Sequence, residues 1–154
     1  MAANPIPDNY PRVTPYLAID GAAAAIDFYK NAFGATERTR MPGPDGKIGH
    51  AEIEIEGALI MMADEYEPMS FRSPKAIGGS PVMIHMYVSD VDAFFRRAKD
   101  AGAEVLRAPT TQFYGDRSCT IKDPFGHLWS VATHVEDVSE AELRKRAAKL
   151  ARAG

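Results

Sequence analysis

Cysteine is nearly absent from this chain: of 154 residues, only Cys119 carries a thiol. One sulfur makes no intramolecular disulfide and no cysteine-cluster zinc site, and a single thiol fits a reducing compartment. A basic excess is missing too. Lys and Arg number 18 against 21 Asp and Glu, a net charge of −3, which gives no footprint for a nucleic-acid partner. No apolar run approaches the roughly 20 residues of a membrane span. The start, "MAANPIPDNYPR", lacks the basic residues and apolar stretch of a signal peptide. P-loop, GxGxxG, HExxH and GxSxG patterns are all missing, so those enzyme classes have no support. What remains is an ordinary globular composition, 45% hydrophobic and 25% charged, and the expectation of a soluble cytoplasmic protein with neither membrane nor nucleic acid as partner.

The order of elements is more informative. Residues 1–11 hold three prolines and read as an extended arm. "RVTPYLAI" reads as a strand with Pro15 near its start. "DGAAAAIDFYKNAFGA" is a helix, with Asp20 as cap, Ile26, Tyr29 and Phe33 on one face, and Gly34 as C-cap. "TERTRM" and "IGHAEIEIEG" flank Asp45-Gly46, a hairpin signal, and "ALIMMAD" follows as a strand. A proline-bearing stretch without periodicity, residues 65–81, reads as a linker or lid. The pattern then repeats. "VMIHMYVSD" is a strand and "DVDAFFRRAKDAGA" a helix ending at Gly102; "EVLRAPTTQF", "DRSCTIKD" and "HLWSVATH" are three more strands. The tail is a helix with Ser139 and Glu142 in a capping-box pattern, and its cations read as a solvated face.

The expected organisation is an arm (1–11), a first βαβββ module (12–66), a linker or lid (67–80), a second module (81–137) and a C-terminal helix (138–154). The fold class is α+β, with tandem βαβββ modules forming curved mixed sheets around a cup. In order, "TPYLAIDGAAAAIDFYKNAFGA", "GHAEIEIEGALIMMAD", "HMYVSDVDAFFRRAKDAGAEV" and "FYGDRSCTIKDPFGHLWSVATHVEDVS" resemble the vicinal-oxygen-chelate superfamily of glyoxalases, bleomycin-resistance proteins and extradiol dioxygenases, and its PhnB-like branch in particular. The resemblance spans about residues 12 to 140. It implies a homodimer whose cavities form from paired modules, within one chain or across two. In metal-dependent relatives four His or Glu ligands point into the cup. Carried across by strand order, those positions fall near Thr14 and on Met61, Met83 and Ser130. None is a His, Glu, Asp or Cys, and thioethers with neutral hydroxyls suit Zn²⁺, Ni²⁺, Mn²⁺ or Fe²⁺ poorly. No metal site and no cofactor are expected, with a displaced divalent-metal site as the lesser alternative.

Strand parity supplies the other candidates. His50, Glu52 and Glu54 lie opposite Ala51, Ile53 and Ile55, while Met83, His85 and Tyr87 lie opposite Val82, Ile84, Met86 and Val88. With the apolar sets against helices, His50, Glu52 and His85 face the cup. They are the candidate catalytic groups, for metal binding or acid–base work, unless they merely hydrogen-bond across a wet cavity. Tyr16, Met61, Met83, His85, Tyr87, Tyr114, Arg117 and Ser130 are the candidate ligand contacts, suited to a partly apolar small organic molecule. Asp116 and Arg117 alternatively form a structural ion pair, and Met69, Phe71 and Arg72 either cover a ligand or merely span the modules. Trp129 reads as helix-side core, His127 as a turn residue and Cys119 as a small strand residue. The leading reading is a metal-free small-molecule-binding protein. The alternatives are a glyoxalase- or lyase-type enzyme with displaced ligands or a metal-independent His/Glu pair, and an adaptor with an empty cup.

Overall fold

A computed structural model describes residues 3–153. The first residues of the expected arm, 1 and 2, and the last of the expected tail helix, 154, lie outside the described residues. The chain divides into two compact units, residues 1–80 and 81–154. Each is a βαβββ module, so the fold is α+β, and the tail helix follows the second.

In unit 1 the strands are β1 (Tyr16–Ile19), β2 (Thr36–Pro42), β3 (Ile48–Ile55) and β4 (Ala58–Asp64), in the spatial order β1-β4-β3-β2. The β1–β4 pair is parallel and the others antiparallel. β1 begins later than the sequence suggests. Pro15 has no N–H for the ladder, and its carbonyl instead accepts from Met61 N at 2.9 Å. Between β2 and β3, Asp45 and Gly46 both take positive φ, as the turn signal requires. Helix α1 (Ala22–Phe33) buries Ile26, Tyr29 and Phe33 together with Ala22, Ala25, Phe28 and Ala32, and Gly34 closes it in the left-handed conformation. Its N-terminus departs from expectation. Asp20 makes no cap; Asp64, at the end of β4, accepts from Gly21 N (3.0 Å), Ala22 N (2.9 Å) and Ile48 N (2.7 Å). The 65–81 stretch also carries more structure than its lack of periodicity implied. Tyr66 and Phe71 pair across a tight turn, and a short helix, α2 (Pro74–Ile77), follows with Ser73 Oγ accepting from Ala76 N.

Unit 2 repeats the plan with β5 (Met83–Tyr87), β6 (Glu104–Thr111), β7 (Asp116–Lys122) and β8 (Leu128–His134), in the order β5-β8-β7-β6. Helix α3 (Val91–Asp100) is capped by the Asp90 side chain at Ala93 N, and Thr133 Oγ1 accepts from Val91 N at 2.8 Å. It ends at Ala101, one residue before the expected Gly102. Beneath it lie Trp129, Val131, Ile121 and Cys119, all fully buried. Ile84 and Met86 on β5 are only half-buried. Helix α4 (Glu140–Ala153) starts where Ser139 Oγ accepts from Glu142 N, and it buries no residue. Arg146 holds it, gripping Glu136 at 2.7 and 2.9 Å and the Phe113 carbonyl at 3.2 Å. Two further cations pair along the helix, Arg144 with Glu140 and Lys145 with Glu142, as a solvated face does. Among the described residues no helix is long and apolar enough to cross a membrane.

Candidate functional site

The alternation of β3 works as its sequence predicts. Ala51, Ile53 and Ile55 are buried on the α1 side, which turns His50 and Glu52 to the open face of the sheet. There the register aligns Tyr16, Met61, Glu52 and Thr39 in one row across four strands. A chain of hydrogen bonds runs along it. Tyr16 Oη lies 2.6 Å from His50 Nδ1, and His50 Nε2 lies 3.1 Å from Glu52 Oε1. Tyr10, reaching in from the arm, donates to both Glu52 oxygens at 3.0 and 3.2 Å. Arg38 stands 3.9 Å from Glu52 and over the Tyr10 ring, 5.1 Å from its centre. Glu52 is thus a buried carboxylate with hydrogen-bond partners in Tyr10 and His50. Its hydrogen bond raises the Tyr10 pKa; partial desolvation, then the Glu52 charge, raises that of Tyr16.

Beside this row unit 1 holds a cavity of ≈ 820 Å³ whose lining includes Tyr16, Ile48, Tyr66, Met69 and Phe71. Phe71 meets Tyr16 edge to face, centroids 5.5 Å apart. The charged groups of the wall are Asp45, Lys47, Asp64, Glu65 and Glu67, of which Asp64 and Glu65 are already bonded to backbone N–H groups. The 65–71 loop supplies Glu65, Tyr66, Glu67, Met69 and Phe71 to this wall. Tyr10 was missed by sequence reasoning, although an aromatic in a proline-rich arm is the sort of residue that anchors such an arm.

Unit 2 presents a different open face. His85 Nδ1 lies 2.9 Å from Ser130 Oγ, and the His85 ring meets Tyr87 edge-on at 4.9 Å. Tyr87 Oη donates to Asp116 Oδ2 at 2.8 Å, and His134 Nδ1 lies 2.7 Å from Asp116 Oδ1. The other ring nitrogen of His134 is 2.9 Å from Asp137. Burial alone would push the Asp116 carboxyl up, but the bonds from His134 and Tyr87 outweigh it and hold the carboxyl below its usual range. The same contacts raise Tyr87 and His134. Arg117 belongs elsewhere: it sits on the helix side and grips Asp92 of α3 at 2.7 and 2.9 Å. Its ion-pair partner is thus Asp92 and not Asp116. Met83 and Tyr114 are exposed, Tyr114 with its ring against Phe113. His127 is a buried turn residue whose N–H donates to Asp123, and Trp129 donates its indole N–H to the same carboxylate at 2.9 Å. Cys119 is fully buried, and desolvation pushes its thiol up, the opposite of an activated nucleophile.

Residues 12–131 match the Glyoxalase/Bleomycin resistance protein/Dioxygenase superfamily. The chain belongs to that superfamily. An uncharacterized protein of Mycobacterium bovis is 46% identical over 137 residues, covering 87% of this chain and 90% of the relative. Among solved structures, TioX from Micromonospora sp. ML1 matches with a TM-score of 0.64 at 26% identity, over 84% of this chain and 100% of that one. A PhnB protein from Bacillus cereus matches with a TM-score of 0.63 over 80% of this chain and 99% of that one. At 17% identity it shows the fold alone.

The superfamily's divalent metal finds poor donors here. Met61 is flanked by Tyr16 and Glu52, and Ser130 is engaged by His85. Thr14 is half-buried ahead of β1, and Met83 is exposed. Two thioethers and two hydroxyls do not fit Zn²⁺, Ni²⁺, Mn²⁺ or Fe²⁺. Among the described residues no three His, Cys, Asp or Glu side chains form a group able to hold a metal ion. His50 and Glu52 are brought together, in unit 1, while His85 lies in unit 2 with Ser130 as its partner.

Proposed function

We propose that this protein binds a small, partly apolar organic molecule in the unit 1 cavity, as a metal-free member of the superfamily. The observation that carries the reading is the cavity wall: Tyr16, Tyr66, Met69 and Phe71 offer aromatic and thioether surface. The poor donors at Thr14, Met61, Met83 and Ser130 support the absence of a metal. Thermal-shift screening with small aromatic and dicarbonyl compounds tests it, since a ligand of the folded state raises the melting temperature by mass action. A stabilising compound should lose roughly tenfold in affinity in Phe71→Ala, through the loss of buried aromatic contact. Elemental analysis after exposure to Zn²⁺, Ni²⁺, Mn²⁺ and Fe²⁺ tests the metal-free part. Stoichiometric metal that vanishes in His50→Ala or His85→Ala would overturn it.

One observation favours a second reading, an enzyme with metal-independent acid–base chemistry. The Tyr16–His50–Glu52 chain is an oriented imidazole with a hydroxyl at one nitrogen and a carboxylate at the other. Turnover of a small dicarbonyl compound that disappears in His50→Ala would establish it. The proposal extends to a cytoplasmic homodimer. Strand β6 is an edge strand, exposed along most of its length, including Val105 and Leu106, and such edges call for a partner. Sedimentation equilibrium measures whether two copies associate.

A further inference from the structure

We infer that Tyr16 sets the polarity of the ligand: it acts as a hydrogen-bond acceptor, so the unit 1 cavity selects a molecule carrying a hydroxyl or N–H donor on an apolar body and disfavours a carboxylate. This deepens the binding reading above and rests on it.

The inference follows from counting protons along the chain. The Glu52 carboxylate, with Arg38 beside it and Tyr10 donating to both oxygens, only accepts. The proton between it and His50 Nε2, 3.1 Å away, therefore belongs to the imidazole. A neutral imidazole protonated at Nε2 has a bare Nδ1, and Nδ1 is 2.6 Å from Tyr16 Oη. Tyr16 must then give its single proton to His50. Its oxygen keeps only lone pairs for anything else it meets, and the raised pKa of Tyr16 keeps the phenol neutral. Tyr16 also lines the cavity, with Phe71 edge-on to its ring. A donor-bearing ligand completes the oxygen's hydrogen bonding, whereas a carboxylate would set lone pairs against lone pairs.

Three probes of one shape test this: 2-naphthol, 2-methoxynaphthalene and 2-naphthoate, titrated calorimetrically into the full chain at pH 7.5. At pH 7.5 the naphthol should bind about five- to tenfold more tightly than either other probe, the range one net hydrogen bond supplies. Tyr16→Phe should erase that margin. Phe71→Ala, which weakens all three probes, places them in the cavity. If the probes bind and respond to Phe71→Ala but the wild type does not discriminate, the Tyr16 inference is overturned while the binding reading stands. If none binds, or Phe71→Ala changes nothing, the binding reading falls and takes the inference with it.

Discussion

Asp123 shows how much one side chain can organise. Its Oδ1 accepts from Phe125 N at 2.9 Å and His127 N at 3.0 Å, and its Oδ2 accepts from the Trp129 indole at 2.9 Å. It is buried, and so is Trp129. Removing the carboxylate strands buried donors, each at a cost of roughly 1–3 kcal/mol. Asp123→Ala should therefore destabilise the protein by about 3 kcal/mol, visible as a lower urea midpoint at unchanged slope. The sequence announces His127 as a turn residue and Trp129 as core. It does not announce that the two meet on one residue. Arg117 teaches the same lesson: its neighbour Asp116 was the obvious partner, yet alternation along β7 sends the two to opposite faces and Arg117 to Asp92. Parity along a strand was legible for His50 and Glu52 because Ala51, Ile53 and Ile55 mark the buried face plainly. Partners remote in sequence, such as Tyr10 for Glu52, exist only once the sheet has closed.

Among the elements, the helix starts depart furthest from a local reading. Asp20 is the residue that local rules favour for α1, but Asp64 does the work from the end of β4, tying Gly21, Ala22 and Ile48 together. Unit 2 repeats the device with Thr133, at the end of β8, bonded to Val91 N and to the Val88 carbonyl. The two differ in strength. A carboxylate bonded to three N–H groups near a helix N-terminus exceeds one hydroxyl, by charge and by number of bonds. Asp64→Ala should cost about 2–3 kcal/mol and Thr133→Val about 1 kcal/mol. Denaturant unfolding of the two variants side by side measures the difference, and an equal loss in both would refute the ranking. Helices, hairpins and the last strand were readable because each rests on periodicity or turn chemistry within a few residues. These caps were not, because each depends on the parallel pairing of the module's first and last strands.

For the molecule as a whole, unit 2 carries an acid–base balance whose contribution to stability depends on pH. His134 is raised by its bonds to Asp116 and Asp137, while Asp116 is lowered by His134 and Tyr87 against the pull of burial. A raised imidazole contributes fully below its unfolded value, about 6.5, and the contribution is lost as pH rises through the folded value. A lowered carboxyl contributes above its unfolded value, about 3.9, and loses that as pH falls through its folded value. Both are present together between about pH 4 and pH 6.5. The melting temperature attributable to this cluster should peak in that window and decline toward pH 8, and His134→Gln should flatten the alkaline decline. The His134 side chain is half exposed, so added salt should shrink the effect. Duplication has a consequence of its own. The same step along the chain separates Tyr16 from His85, Met61 from Ser130, Asp64 from Thr133 and Ala22 from Val91, with each pair at matching points of its sheet or helix. Each half is thus a built-in reference for the other, two experiments run on one scaffold. Grafting a residue from one half onto its counterpart separates what the scaffold demands from what each half has since specialised to do.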